Sequence, residues 1–168
     1  MSGFIDSLGN QAVAELVERL IPQGQAFGGT SGKVALAAAG NAGVALWNPA
    51  GSASTVFLYG VQLMADSAVA FGAIAHITAS PGWTAVPILN KHRTSVRTPQ
   101  AAMQASSTAG AAPAAATMTD TFSLAAGTLL QWTPEIAEAL LPPGTGILIW
   151  LPLVGAGNVA VNLDWLEW

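Results

Sequence analysis

The stretch that decides the fold is PPGTGILIWLPLVGAGNVAVNLDWLEW, residues 142–168. Its last run alternates, because apolar side chains occupy every second position and polar ones fall between them, which is the period of a half-buried strand. The apolar positions are Val159, Val161, Leu163 and Trp165. A second apolar run, Ile147–Val154, precedes it, and the turn between the two is rich in Gly and Asn. The stretch therefore predicts a closing β-hairpin that seals a sandwich.

The first strand of that hairpin is apolar in both of its phases. The side chains on one side of the strand are enough to cover a core that lies on that side. The other side carries Leu148, Trp150 and Val154, and these residues have no place inside the fold. Tryptophan is above all a core anchor, then an interface anchor, and only then a platform for sugars. We therefore expect this second face to contact another subunit.

The composition supports the same expectation, because the chain has few charges with which to cover its surface. Charged residues make up 8% of the 168 residues, hydrophobic residues 52%, and the mean hydropathy is +0.50. A soluble globular domain has about 25% charged residues. Large uncovered apolar patches mark interfaces. Much of the surface is therefore expected to be buried against copies of the chain or against another protein.

Several classes of partner and location are disfavoured by simple features of the sequence. A net charge of −4 argues against nucleic acid. The apolar run Ile147–Leu151 is far shorter than the ~20 residues that a membrane span needs. The N-terminus has an early Asp6 and lacks the pattern of a signal peptide. We expect neither a nucleic-acid nor a membrane partner, and synthesis in the cytoplasm.

The sequence predicts no enzyme, cofactor or metal. Cysteine is absent, and His76 and His92 lie on different segments, so the usual close pairing of zinc ligands is missing. No Gly-x-Ser-x-Gly motif occurs, and Gly28–Lys33 lacks the first glycine and the hydroxyl residue of a phosphate loop. Convergence of two carboxylates in space stays open. The candidates are Asp66, Asp120, Glu135, Glu138, Asp164 and Glu167.

The N-terminal part, residues 1–32, predicts a helix followed by a linker. Residues 4–21 have helical periodicity and end at Pro22, and the residues from Gly24 to Gly32 have the composition of a flexible linker. The apolar stripe consists of Val13, Leu16, Val17 and Leu20. Two interpretations are open. The helix packs on its own domain, or it is an arm whose stripe is buried in a neighbouring copy or in a threefold bundle.

Residues 33–168 alternate short β-prone runs with turn residues, which is typical of an all-β domain. The runs before the closing stretch are Val34–Ala39, Val44–Trp47, Thr55–Met64, Val69–Thr78, Trp83–Leu89, Thr117–Leu124 and Thr128–Trp132. A short helical turn is expected from Thr133 to Leu141, because Pro134 and Glu135 suit the first turn of a helix. The pattern predicts a jelly-roll-like antiparallel β-sandwich of about eight strands with an N-terminal α-helical arm.

The region Asn90–Ala116 is rich in small residues and starts with a cluster of basic and histidine side chains. The cluster consists of Lys91, His92, Arg93 and Arg97. A structureless loop of this length is uncommon in a compact domain and is usually functional. We expect an excursion at a subunit contact, in which the cations face an acidic patch on a neighbour, with Glu135 and Glu138 as candidates. Plain flexibility is the alternative.

Three motifs together form a pattern: the turn Leu46–Ser52 (LWNPAGS) before an apolar strand, the turn and strand start Leu141–Ile149, and the terminal segment Val161–Trp165. The pattern resembles that of small β-sandwich virion proteins of tailed bacteriophages, which serve as capsid decoration (cement) proteins or head–tail accessory proteins and are commonly trimeric. The resemblance implies a structural virion protein on the capsid surface, which stabilises the head as a homotrimer bound to the major capsid protein. The alternative is a tail or fibre module that recognises the host by binding glycans through exposed tryptophans.

Overall fold

The structure, a computed structural model, describes residues 14–134 and 139–168. Residues 14–20 form helix α1, and every strand ladder is antiparallel. The strands in these ranges are β1 (Ala26–Thr30), β2 (Val34–Leu36), β3 (Gly40–Asn48), β4 (Val56–Ala65), β5 (Val69–Ile77), β6 (Thr84–Ala85), β7 (Ile88–Asn90), β8 (Ala102–Ser106), β9 (Met118–Leu124), β10 (Leu129–Trp132), β11 (Leu140–Leu141), β12 (Thr145–Leu153) and β13 (Gly157–Glu167).

The strands form two sheets whose order is that of a jelly roll. The seven-stranded sheet runs β10-β4-β13-β1-β7, with β11 beside β4 and β2 beside β13, and the six-stranded sheet runs β6-β8-β3-β12-β5-β9. With β1, β3, β4, β5, β9, β10, β12 and β13 lettered B to I, the two sheets contain the jelly-roll orders B-I-D-G and C-H-E-F. The predicted all-β sandwich is confirmed, and five short strands extend its eight main ones.

The core lies between the two sheets and is built by alternation along the strands. From β12 it receives Ile147, Ile149, Leu151 and Leu153, and from β13 Val159, Val161, Leu163 and Trp165. The indole of Trp165 stacks on the ring of Phe27 with 6.2 Å between ring centroids. Every second residue of each strand is thus removed from water, and burial of one such large side chain contributes about 1.5–3 kcal/mol.

The predicted closing hairpin is wrong, because its two strands lie in different sheets. Strand β12 pairs with β3 and β5, whereas β13 pairs with β4, β1 and β2. Both strands have an apolar inner face, and each buries that face against the opposite sheet. A turn rich in glycine serves a crossing between sheets as well as a hairpin, so the local pattern did not distinguish them.

The predicted flexible linker is also wrong where β1 lies. Strand β1 pairs with β13 on one side and with β7 on the other, so the sandwich begins at Ala26 and not at Lys33. The glycines of this strand allow close approach. A Cβ atom on Gly28 would lie 2.7 Å from Asp164 Oδ1, and one on Gly29 would lie 2.5 Å from Met103 Sδ.

Helix α1 packs on the chain's own domain. Leu20 is buried, and Leu16 and Val17 pack against the same cluster on the outside of the seven-stranded sheet. The sheet residues of that cluster are Ala26, Phe57 and Leu166. Val13, the remaining member of the predicted stripe, lies outside the described residues. The described part of the helix therefore packs on its own domain, and a contact of the stripe with a neighbouring copy stays a prediction.

The region Asn90–Ala116 is ordered by its own chain. It contains β8, which pairs with β3 and β6, and it runs on over the outside of the six-stranded sheet. The prediction that its small side chains allow a close course over a surface holds, but the surface is in the same chain. Part of the helical turn expected near Pro134 lies outside the described residues, and Leu140–Leu141 forms β11.

Candidate assembly surface

The outer surface of the six-stranded sheet, here called the six-stranded face, is centred on β12. The side chains of β12 that point away from the core are Leu148, Trp150 and Pro152. The neighbours of Leu148 and Trp150 in β3 and β5 are small, and Asn41 of β3 lies beside Pro152. The flanking residues are Gly43, Ala45, Ala73 and Ala75. The strands of this sheet contain two ionisable side chains, His76 in β5 and Asp120 in β9. The centre of the face is therefore apolar and without charge.

Part of this face is covered by the chain itself. A Cβ atom on Gly43 would lie 2.6 Å from Trp83 Cζ3 and 2.8 Å from Ala109 Cβ, so the indole and the Ala-rich segment both rest on the glycine. Trp150 Nε1 donates a hydrogen bond to the Gly110 carbonyl oxygen at 3.3 Å. Trp150 is only 7% exposed, so most of its surface is used within the chain.

The rest of the face is open to solvent in different degrees. Leu148, Trp47 and Ile77 are half-buried, and Val154, just past the end of β12, is 58% exposed. Of the three predicted contact residues on this strand, Leu148 and Val154 therefore lie at the surface, whereas Trp150 lies beneath the 107–110 segment. Contact with a second copy stays a prediction for all three.

The outer surface of the seven-stranded sheet, here called the seven-stranded face, carries polar and charged side chains beyond helix α1, together with Met64 and Leu129, which are 44% and 57% exposed on neighbouring strands. Lys91 Nζ lies 2.7 Å from Asp164 Oδ1, and the two side chains are 32% and 40% exposed. The ammonium also lies 5.5 Å from the centroid of the Tyr59 ring. A row of polar side chains crosses four strands in register. Its members are Gln131, Gln62, Asn162 and Thr30.

The environment of Lys91 and Tyr59 keeps both groups protonated. Burial raises the pKa of Tyr59, and the nearby Lys91 only partly opposes this. Burial by itself lowers the pKa of Lys91, but the hydrogen bond with Asp164 and the interactions with Tyr59 outweigh it, so this pKa is raised. A general base needs a pKa near the working pH. Neither group is therefore suited to accept a proton at neutral pH.

The basic cluster separates into groups with different partners. Lys91 is held by Asp164, and Arg97 Nη2 donates to the Glu167 carbonyl oxygen at 3.5 Å. Arg93 is exposed, and no hydrogen bond or ion pair joins it to another described residue. The contact expected between these cations and a neighbouring acidic patch stays a prediction, and the candidate acids Glu135 and Glu138 lie outside the described residues.

Glu167 is a structural carboxylate whose role we did not predict. It is fully buried and accepts hydrogen bonds from Gln100 N at 2.8 Å, Ala101 N at 3.1 Å and Trp165 Nε1 at 3.0 Å. The carboxylate thereby joins the end of β13 to the loop before β8. A signal was present in the sequence, because Glu167 continues the buried phase of Trp165.

The metal-ligating side chains in the described part of the chain are dispersed. Residues 14–134 and 139–168 contain no group of three or more His, Asp or Glu side chains that could hold a metal ion. An open groove of about 430 Å³ lies between β2, β6 and β8, and its walls carry hydroxyl and small apolar side chains without an ionisable group. Within the same residues, no helix combines the length and hydropathy needed to cross a bilayer.

The six tryptophans are mostly structural. Trp165 and Trp150 are buried, Trp47, Trp83 and Trp132 are half-buried, and Trp168 is 45% exposed beside the ring of Phe57. Contact of any of these tryptophans with another subunit stays a prediction. The exposed set offers no row of rings on which a sugar chain would stack.

Comparison with family models, with curated proteins and with solved structures finds no significant match.

Proposed function

We propose that this protein is a non-enzymatic structural virion protein, a capsid decoration protein that assembles with its own copies through the six-stranded face. The observation that supports self-assembly is the pair of half-buried apolar side chains, Leu148 and Trp47, on a face whose strands β3 and β12 carry no ionisable side chain. The resemblance of the three sequence motifs to small phage virion proteins supports the virion role and a homotrimer bound to the major capsid protein.

In a sandwich, an antiparallel sheet normally turns one face to the core and the other to water. Such a sheet has one apolar face on the core, and its other face is polar when solvent covers it. On the seven-stranded face, Gln62 and Asn162 project from the central strands and the Lys91–Asp164 pair adds charge, so polar groups lie among its exposed apolar side chains. The six-stranded face departs from this rule with Leu148 and Trp47 half-buried on its surface. A partner that covers these residues accounts for the departure.

A charge placed on the face tests self-assembly. Leu148→Glu introduces a carboxylate that would be buried without a counter-ion, so we expect the oligomer to dissociate to monomers. Gln62→Glu is the matched control, because it places the same charge on a central strand of the seven-stranded face and is expected to leave the oligomer intact. Sedimentation equilibrium at micromolar concentration measures both. A wild-type protein that sediments as a monomer would overturn the proposal of self-assembly.

The virion role has its own test. A reconstruction of the phage particle should show density for this jelly roll on the outside of the capsid lattice, at positions where capsomers meet. Purified protein added to undecorated heads should raise the temperature at which the heads open, because it binds the closed lattice and not its separated parts. Its location at a tail or fibre tip would contradict the decoration role and favour host recognition.

A further inference from the structure

One side of the sandwich ends in two free strand edges. Strand β10 is the outermost strand of the seven-stranded sheet, and β9 is the outermost strand of the six-stranded sheet. Residues 125–128 join them, and each pairs with one strand only, β10 with β4 and β9 with β5. Within residues 14–134 and 139–168, no strand pairs with the outer edge of either one. Such an edge offers unpaired N–H and C=O groups to a further strand.

The core is incompletely closed on this side. Leu130 and Trp132 of β10 and Phe122 of β9 pack against the core, but all three are only half-buried. On the outer side of the same edge, Leu129 is 57% exposed, and Met64, directly opposite it in β4, is 44% exposed. Both sides of β10 therefore leave apolar surface in contact with water.

Strand β10 lacks the features that usually protect an edge. Natural edge strands are blunted by charged side chains, prolines or bulges. Strand β9 has a charge, Asp120, and two irregularities in its register with β5. Strand β10 pairs with β4 in unbroken register and carries neither an ionisable side chain nor a proline. Of the two edges, β10 is therefore the one that is open to pairing.

The charge of the chain and the symmetry of the edge fit a second copy as the partner. Each copy has a formal net charge of −4, so two copies repel one another and meet most readily where the surface is neutral. Strand β10 and the segment of β4 beside it, Val61–Met64, contain no ionisable side chain. Two identical strands also pair antiparallel about a twofold axis, so that each contact is made twice.

We infer that β10 of one copy pairs antiparallel with β10 of a second copy about a twofold axis at Gln131, so that the seven-stranded sheet continues into the second copy. Side chains directly opposite in such a ladder lie on the same face. On the core side, Leu130 then meets Trp132, and on the outer side the two Gln131 amides meet each other.

This contact goes beyond the proposed function, because it lies at the edge of the other sheet and not on the six-stranded face. It would join assemblies that the six-stranded face has formed. Strand β10 has only 4 residues, so the contact is weak in dilute solution. We expect it at concentrations of about 1 mM, which neighbours held on one surface reach as an effective concentration.

Cysteine cross-linking tests the pairing and its register, because the chain contains no cysteine of its own. A residue on the axis faces its counterpart at about 4.5–5.5 Å between Cα atoms, which suits a disulfide. Gln131→Cys at about 1 mM should therefore form a covalent dimer under mild oxidation. Leu129→Cys is the matched control, since it lies exposed on the same face of the same strand but away from the axis. Equal rates of disulfide formation in the two variants would overturn the inference.

A like-charge substitution gives a second measurement, made in the Leu148→Glu background so that the six-stranded face does not contribute. Gln131→Lys sets two ammonium groups opposite one another and should weaken association at about 1 mM about fivefold. Leu89→Lys places the same charge on β7, at the opposite end of the same sheet, and should leave association unchanged. Both positions are exposed, so the thermal midpoint of the monomer should not move. Sedimentation equilibrium measures both, and an unchanged affinity in Gln131→Lys would contradict the inference.

The outcomes separate this inference from the proposed function. If the wild-type protein sediments as a monomer at micromolar concentration, assembly through the six-stranded face fails, whereas a disulfide at Gln131→Cys still supports the pairing of β10. If Leu148→Glu dissociates the oligomer and Gln131→Cys forms no disulfide, the six-stranded face assembles the copies and the inference is overturned.

Discussion

Strands β12 and β13 are separated by only three residues, 154–156, yet their outward faces are opposite in character. Both have an apolar inner phase in the same core. Outward, β12 presents Leu148 and Trp150, whereas β13 presents Asn162 and Asp164. Each strand lies inside its own sheet, so the outer faces of the two sheets differ in the same way as the outward sides of the two strands. The inward-facing residues of a strand therefore determine the fold, whereas the outward-facing residues reflect what covers each face.

The two faces also differ in how the chain covers them. On the seven-stranded face, α1 covers one end and the Lys91–Asp164 pair lies beyond it. On the six-stranded face, Trp83 and the 107–110 segment cover part of an apolar centre. The first is a solvated face with one docked helix, and the second is an apolar surface that its own chain covers only in part.

The largest expected effect concerns the end of β13. Glu167→Ala removes the acceptor of three hydrogen bonds and leaves their donors buried, so we expect the free energy of unfolding to fall by about 3 kcal/mol. Glu167→Gln keeps the shape and one acceptor oxygen and should lose about half as much. Urea unfolding at neutral pH measures both. A loss below about 1 kcal/mol for the alanine variant would contradict the role given to this carboxylate.

A matched pair of glycine substitutions compares the two faces directly. Gly43→Ala places a methyl group against Trp83 and Ala109, and the resulting overpacking should cost about 1–3 kcal/mol. Gly60→Ala, on the seven-stranded face, meets Asp164 Cβ at an ordinary 3.4 Å and should change stability by no more than about 0.5 kcal/mol. Thermal unfolding of the two variants is the measurement. Equal losses would show that the six-stranded face is not closely covered at Gly43.

The ion pair on the seven-stranded face should contribute less. Lys91→Met removes a partly exposed pair with Asp164, so the expected loss is about 0.5–1 kcal/mol, and it should shrink as salt is added. Arg93→Met is the control, because Arg93 is exposed and joins no other described residue. It should leave stability unchanged. A loss that is independent of salt would point to the packing of the Lys91 stem instead of its charge.

The smallest effect is a dependence on alkaline pH. The pKa of Tyr59 and the pKa of Lys91 are both raised in the folded state, from ordinary values of 10.0 and 10.5. Above these values the unfolded chain loses the two protons before the folded chain does, so stability should fall as the pH rises past about 10. Tyr59→Phe should flatten this fall, while between pH 7 and pH 9 neither group should make stability depend on pH. Denaturant midpoints across pH 7–11 measure the slope, and a slope unchanged in the phenylalanine variant would contradict the assignment.

The sequence predicts some parts of the closing stretch and of the rest of the chain better than others. Alternation along β13 predicts its buried residues correctly up to Trp165. The same alternation places Glu167 on the buried side, but a charged residue is not expected there. The glycines of β1 indicated flexibility, although they serve close approach to Asp164 and Met103. The sequence indicates that β12 has more apolar side chains than a one-sided core can bury. It does not indicate what covers Trp150, because the covering segment lies 40 residues earlier in the chain.

The sequence by itself determined the all-β class, the inner phase of each long strand and the shortage of surface charge, because alternation and composition are local properties of the chain. Only the tertiary structure decided that β12 and β13 belong to opposite sheets, that β1 is a strand, and that Lys91 meets Asp164. Those outcomes depend on which distant segments become neighbours. A period of two states which side of a strand is buried, but it carries no information about the strand that lies beside it.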